Sequence, residues 1–302
     1  MKFPVEKICL LILVLFANAA LTDAQSRRSV TGTLDSDGTI LTVVASRAGN
    51  LKEPIKPENL YLYENGIEQK IKNFSFDPSP AKILMLVDNS QTVRADVETL
   101  KKATMEFAYE IFDGDQLFIV GYDEKPEIIQ EWTDDAKKIE TSVNTFRKKG
   151  NSFLFDSLSA SVSEILLPLM PGTRKTVVVL ISDGLDRGSA TAFDKLLGDL
   201  QNLNIVVYAL QIPDRTGGAF RRNQPKANQV IKQLTEETGG KVFPIEDAQT
   251  AAKFICDELK RNRYLLNYLP TNLSSYEARR VFLIGDEGIT IRTKTAQPPN
   301  IK

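Results

Sequence analysis

The stretch Ile83-Leu84-Met85-Leu86-Val87-Asp88-Asn89-Ser90-Gln91-Thr92 decides the reading of this chain. An unbroken apolar run ends at Asp88, and hydroxyls follow at Ser90 and Thr92. Such a run suits a strand buried on both faces of a parallel sheet. The polar cluster then falls at the carboxyl edge of the sheet, where open α/β folds place ligand sites. One carboxylate and two hydroxyls at alternate positions form an all-oxygen set, the chemistry that Mg²⁺, Ca²⁺ and Mn²⁺ prefer.

Two later stretches have the same character. Gly150-Asn151-Ser152 opens a helical pattern, and Val177-Val178-Val179-Leu180-Ile181-Ser182-Asp183-Gly184 is a second apolar strand ending in a carboxylate. Taken with D-x-S-x-T at 88–92, these three pieces in this order resemble the metal-ion-dependent adhesion site of the von Willebrand factor type A (VWA) family. The resemblance implies that Ser90 and Thr92 are direct ligands and that Asp88 acts mainly through water. Ser152 would supply a third hydroxyl and Asp183 the second carboxylate. It also implies a Mg²⁺ ion, or Mn²⁺ or Ca²⁺, with one coordination position left for an Asp or Glu of a protein ligand. The chain departs from the family pattern twice: Ser152 stands for the usual threonine, and Gln91 occupies a position where glycine is common. For Asp88 and Ser90 the competing reading is a helix N-cap directly after the strand.

Composition narrows the chemistry. The 302 residues include no histidine, which removes Ser-His-Asp and Cys-His catalysis and most zinc sites. A formal net charge of -1 argues against a nucleic-acid partner. Residues 1–24 read as a secretory signal peptide, with Lys2 and Lys7 before the apolar run Ile8–Phe16 and small residues after it. That run is short for a membrane span, so no stable span is expected after cleavage. An exported protein follows, secreted or held in the periplasm or cell envelope. Cys256 would then be its one cysteine, leaving no internal disulfide.

The remaining pattern predicts an α/β fold with a doubly wound, mostly parallel sheet and flanking β segments that together form a small sandwich. The expected divisions are an N-terminal β segment at 25–80, a VWA domain at 81–262 and a C-terminal β segment at 263–302. In the first segment, Val30–Leu34 and Thr39–Ala45 flank a turn-rich Asp35–Gly38. A strand ending in Asn65-Gly66 then leads into a second at Ile67–Phe76. In the middle, helices are expected at Val93–Phe112, Asp134–Lys148 and Ser152–Leu169, with Thr133 or Asp134 capping the second. In the last segment, Arg280–Ile284 and Ile289–Thr293 read as a hairpin about Gly285–Gly288. The Leu60–Gln69 stretch and the Arg261–Pro270 strand resemble the segments that flank the domain in exported bacterial, acidobacterial-type VWA-related proteins.

Three features admit two readings each. The loop Pro213–Lys226 places Arg221 and Arg222 beside Phe220, either as a basic rim for an acidic partner or as a plain solvated loop. Asn73-Phe74-Ser75 and Asn272-Leu273-Ser274 match a glycosylation pattern that also arises by chance. The apolar strand before D-x-x-x-T is similar to that of haloacid-dehalogenase phosphatases, in which Asp88 would be a nucleophile. Ser90, however, stands where their second aspartate belongs, leaving no proton-transfer partner. The expected function is therefore a non-enzymatic module for cation-dependent protein binding. A phosphatase-like hydrolase and a scaffold with an empty metal site are the alternatives.

Overall fold

A computed structural model describes residues 38–49, 53–214, 224–271 and 276–299. The predicted signal peptide, Val30–Leu34, Phe220, Arg221, Arg222 and the Asn272 acceptor site all lie outside the described residues. In chain order the strands are β1 (Thr39–Arg47), β2 (Leu60–Glu64), β3 (Ile67–Gln69), β4 (Ile71–Phe76), β5 (Lys82–Asp88), β6 (Gln116–Tyr122) and β7 (Pro126–Thr133). They continue with β8 (Thr176–Ser182), β9 (Val206–Gln211), β10 (Val242–Pro244), β11 (Arg263–Tyr268), β12 (Arg279–Gly285), β13 (Ile289–Thr293) and β14 (Ala296–Gln297). The α-helices are α1 (Val97–Glu110), α2 (Ala136–Val143), α3 (Leu154–Ser161), α4 (Phe193–Asn202), α5 (Ala227–Glu236) and α6 (Ala248–Arg261).

The central sheet has the order β10-β9-β8-β5-β6-β7 and is parallel except for β7, which closes the edge antiparallel to β6. Alternate residues of β5 feed two separate cores. Ile83, Met85 and Val87 pack with Leu100 and Phe107 of α1 and Ile255 of α6. Leu84 and Leu86 pack on the opposite face with Leu158 of α3, Leu196 of α4 and Leu234 of α5. A strand sandwiched between two helical layers has no polar face, which is why its sequence lacks alternation. Chain order reverses at β5, which is followed by β6 on one side and later by β8 on the other. The crevice beyond their carboxyl ends is the topological switch point.

The flanking strands form two antiparallel sheets of order β13-β1-β11-β4 and β14-β12-β2-β3. Each mixes strands from both sides of the central unit. β1 pairs with β11 and β13, and β2 with β12. Leu41, Val43 and Leu266 of one sheet share a core with Leu62 and Val281 of the other.

Several expected elements differ in detail. Ile67–Phe76 is two strands in different sheets, because the chain crosses from one to the other at Lys70. β12 and β13 likewise belong to different sheets, so Gly285–Gly288 is an arch between sheets and not a hairpin turn. α1 begins four residues later than expected because Lys148 Nζ donates to the Val93 and Ala95 carbonyls, and Asp96 caps the helix at Thr99 N (2.7 Å). α2 stops at Val143, and its cap is Asp135, which accepts from Lys137 N at 2.9 Å. Arg147 N and Lys149 N are drawn away from any further helical turn by Asn89, bonding its Oδ1 and O at 3.1 and 3.2 Å. α3 gives way to a π turn at Val162–Leu166 and a 3₁₀ turn at Leu167–Leu169, where Pro168 has no N–H to donate.

The two outer sheets are joined by a buried polar clamp. Glu64 on β2 accepts from Tyr268 OH on β11 and pairs with Arg279 Nη1 on β12 at 3.2 Å. Replacing Glu64 by Ala leaves Arg279, 2% exposed, as an uncompensated buried charge. The expected loss is about 3–5 kcal/mol in urea unfolding; a change under about 1 kcal/mol is what a dispensable pair would give.

Candidate functional site

The site is built at three strand ends. Asp88, Tyr122 and Ser182 are the last residues of β5, β6 and β8, so the parallel pairing brings them to one edge. Asp88 is 0% exposed. Its Oδ1 accepts from Ser90 N at 3.0 Å, closing an Asx turn that carries Ser90 over the strand end. Its Oδ2 accepts from Ser152 Oγ at 3.1 Å and from Tyr122 OH at 3.2 Å. Tyr122 OH also lies 3.0 Å from Ser182 Oγ. Ser90 Oγ and Thr92 Oγ1 are 2.9 Å apart. Of the predicted ligands, Ser90, Ser152 and Asp183 are buried, and Thr92 alone is half-exposed at the mouth.

Burial pushes the Asp88 carboxyl above its ordinary value, against the pull of the hydrogen bonds from Ser90, Ser152 and Tyr122. Asp183 lies one residue beyond β8. Burial first, and then the charge of Asp88, push its carboxyl up to about 7, and the hydrogen bond from Leu185 N and nearby Arg187 only partly offset this. Burial and the same Asp88 charge raise the Tyr122 phenol well above its ordinary value. Two buried carboxylates, the charge of one raising the proton affinity of the other, together with the hydroxyls of Ser90, Thr92 and Ser152, form a set that hard divalent cations take. Among the described residues no group of three or more His, Cys, Asp or Glu could hold a metal, so a site here would draw on other oxygens, hydroxyls among them.

The structure thus connects Asp88, Ser90 and Ser152 by hydrogen bonds, adds Thr92 through Ser90, and brings Asp183 within electrostatic reach of Asp88. The N-cap reading of Asp88 and Ser90 fails, because Asp96 caps α1. Gln91 does not crowd the interior. Its side chain is exposed and its backbone N donates to Lys149 O and Gly150 O, both at 3.2 Å. The loop predicted at Pro213–Lys226 borders the site at its described ends. Asp214 raises the Asp183 carboxyl, and Gln224 Nε2 donates to Asp186 Oδ2 at 3.0 Å.

Sequence reasoning missed Asn89, Tyr122 and Asp186. Tyr122 ends an apolar run just as Asp88 does, and the same strand-end logic would have found it. Asn89 is 3% exposed and holds the 147–149 loop against the first one, a role that no local pattern advertises.

Residues 83–185 match the family model of the von Willebrand factor type A domain. The chain carries a von Willebrand factor type A domain. No sequence match was found among curated proteins. Among solved structures, the chain is similar to an aerotolerance-related membrane protein from Bacteroides fragilis NCTC 9343, with 16% identity and a TM-score of 0.46 over 60% of this chain and 99% of that one. It is similar to a von Willebrand factor type A protein from Catenulispora acidiphila, with 10% identity and a TM-score of 0.49 over 86% of this chain and 75% of that one. A third is proximal thread matrix protein 1 of the mussel byssus, whose structure has a zinc-occupied MIDAS motif. It has 14% identity and a TM-score of 0.47, covering 65% of this chain and 49% of that one.

The raised Asp183 carboxyl gives the VWA domain a pH signature in the absence of metal. Asp183 keeps its proton up to about pH 7 when folded but only to the ordinary 3.8 when unfolded. Its contribution to stability therefore falls as pH rises between those values and is flat above them. Urea midpoints in EDTA at about pH 4.5 and about pH 7.5 should show Asp183→Asn gaining on the wild type at the higher pH. Parallel behaviour of the two proteins would mean that Asp183 titrates normally.

Proposed function

We propose that this chain is a protein-binding module that grips a carboxylate of its partner through a divalent cation, with Mg²⁺ as the natural occupant and Mn²⁺ or Ca²⁺ as substitutes. Asp88, Ser90, Thr92, Ser152 and Asp183 would hold the ion. The observation that carries the reading is the meeting of the Ser90 amide and the Ser152 hydroxyl, from two loops, on a buried carboxylate whose charge is felt by a second one. The ion would supply a positive centre to which a partner's Asp or Glu can bind. Asp88, saturated by protein donors, would orient Ser90 and Ser152 rather than meet the partner, in the manner of outer-shell carboxylates. Half-exposed Thr92 marks the side from which the partner would approach.

Three further parts belong to the reading. Export is supported by the apolar, lysine-flanked pattern of residues 1–24. No described helix is long and apolar enough to cross a membrane. A rim role for Phe220, Arg221 and Arg222 rests on their chemistry and on the proximity of Asp214 and Gln224 to the site. The non-enzymatic reading is supported by the burial of Asp88, whose carboxylate has no open face for nucleophilic attack.

Calorimetric titration of MgCl₂ and MnCl₂ into the intact protein tests the core of the proposal. Binding should weaken at least about tenfold in Thr92→Ala, which sits at the mouth and leaves the core intact, and persist in Ser152→Thr, which keeps the oxygen. No heat with either metal would end the metal-dependent reading. Phosphatase turnover that disappears in Asp88→Asn would favour the hydrolase instead.

A further inference from the structure

α3 begins without a cap of its own. Its N-cap is Phe153, which has no side chain able to accept, yet two N–H groups of the first turn find acceptors. They are satisfied from another loop. Phe155 N donates to Asp186 Oδ1 at 3.2 Å, and Asp156 N donates to Ser189 Oγ at 3.0 Å. The favour is returned by Asp156, whose two oxygens accept from Ala190 N at 2.9 Å and Thr191 N at 2.8 Å. Asp186 is 4% exposed and also takes Ser189 N, Ser189 Oγ and Gln224 Nε2. Backbone contacts complete the interlock: Arg187 N donates to Ser152 O at 2.8 Å, and Ser152 Oγ lies 2.9 Å from Leu185 O. At Gly188 a Cβ would stand 2.1 Å from the Phe153 ring, so the two segments are as close as glycine allows.

The partners are not arbitrary. Residues 152–156 include the third predicted hydroxyl ligand, and residues 183–191 begin with the second carboxylate. The two ligands come from chain segments about thirty residues apart, and no hydrogen bond joins Ser152 to Asp183 directly among those described. Their separation is set by what holds the segments together.

We propose that Asp156 and Asp186 are positioning residues of the cation site, forming a reciprocal cap that fixes Ser152 and Asp183 at ligating distance before the ion arrives. This rests on the metal-binding reading above. Without the cap, Ser152 and Asp183 would be free to move apart, since among the described residues the contacts that tie the 152–156 segment to the 183–191 segment are those of the cap and its backbone neighbours. With it, the hydroxyl and the carboxylate are already in place when the ion arrives. Outer-shell partners of this kind are typically worth 10–100-fold in metal affinity.

The test compares Mn²⁺ affinity, read by calorimetry and by the electron paramagnetic resonance of free Mn²⁺, in wild type, Asp156→Ala, Ser189→Ala and Thr238→Val. Thr238 bonds Val207 N at 2.9 Å near the opposite end of the central sheet, so its loss lowers stability without touching the cap. All proteins are measured well below their unfolding midpoints. The expected result is an affinity loss of about tenfold or more in Asp156→Ala, a smaller one in Ser189→Ala, and none in Thr238→Val. Hydrogen exchange in EDTA should in parallel show faster exchange at Ala190 and Thr191 in Asp156→Ala. If wild type binds Mn²⁺ and Asp156→Ala binds it equally well, the positioning role is overturned while the metal site stands. If Thr238→Val loses as much affinity as Asp156→Ala, the effect is one of general stability and the proposal also falls. A wild type that binds no Mn²⁺ removes the metal-binding reading itself.

Discussion

A buried carboxylate at the end of the central strand is the constraint from which the rest of this site follows. Asp88 has lost its contact with water, and a charge in that position is costly unless the protein replaces the lost hydrogen bonds. Three donors do so, and each comes from a different part of the chain: Ser90 from the same loop, Tyr122 from the neighbouring strand, and Ser152 from the start of α3. Satisfying one acid therefore fixes the relative positions of three segments. Asp183 adds a second acid to the same region, and its own burial first, then the charge of Asp88, raises its proton affinity.

The sheet makes this convergence affordable in backbone terms. Parallel pairing of β5 with both β6 and β8 puts the three strand ends in register, and the two helical layers hold that register by burying opposite faces of β5. Loops leaving the same edge in opposite directions then meet each other. They interlock through side chains acting as caps for foreign helices and as acceptors for foreign amides, as Asp186, Asp156 and Asn89 do. The same device recurs at the other end of the molecule, where Glu64 ties together strands of both outer sheets.

How much of this was legible follows the range of the interactions. The strand at Ile83–Val87 was readable because burial on two faces writes itself as a continuous apolar run. The polar residues at its end were readable because carboxylates and hydroxyls have few other reasons to follow such a strand. Helix ends were read poorly. α1, α2 and α3 all start or stop where a distant group intervenes: Lys148 on the Val93 and Ala95 carbonyls, Asn89 on the amides of Arg147 and Lys149, Ser152 on Asp88. None of these partners lies within a helical turn of the residue it affects, so propensity and spacing carry no trace of them.

By itself, then, the sequence determined the alternation of strand and helix, the oxygen-bearing residues that end the strands, and the exclusion of histidine chemistry. Local pattern suffices for these because each depends on a residue and its near neighbours. Only the tertiary structure decided that Asp88 is held by Tyr122 and Ser152 and does not cap a helix, and that β3 and β4 part into different sheets, as do β12 and β13. Those outcomes depend on which groups meet across sequence separations of tens to hundreds of residues, and the need to satisfy every buried polar group selects among them.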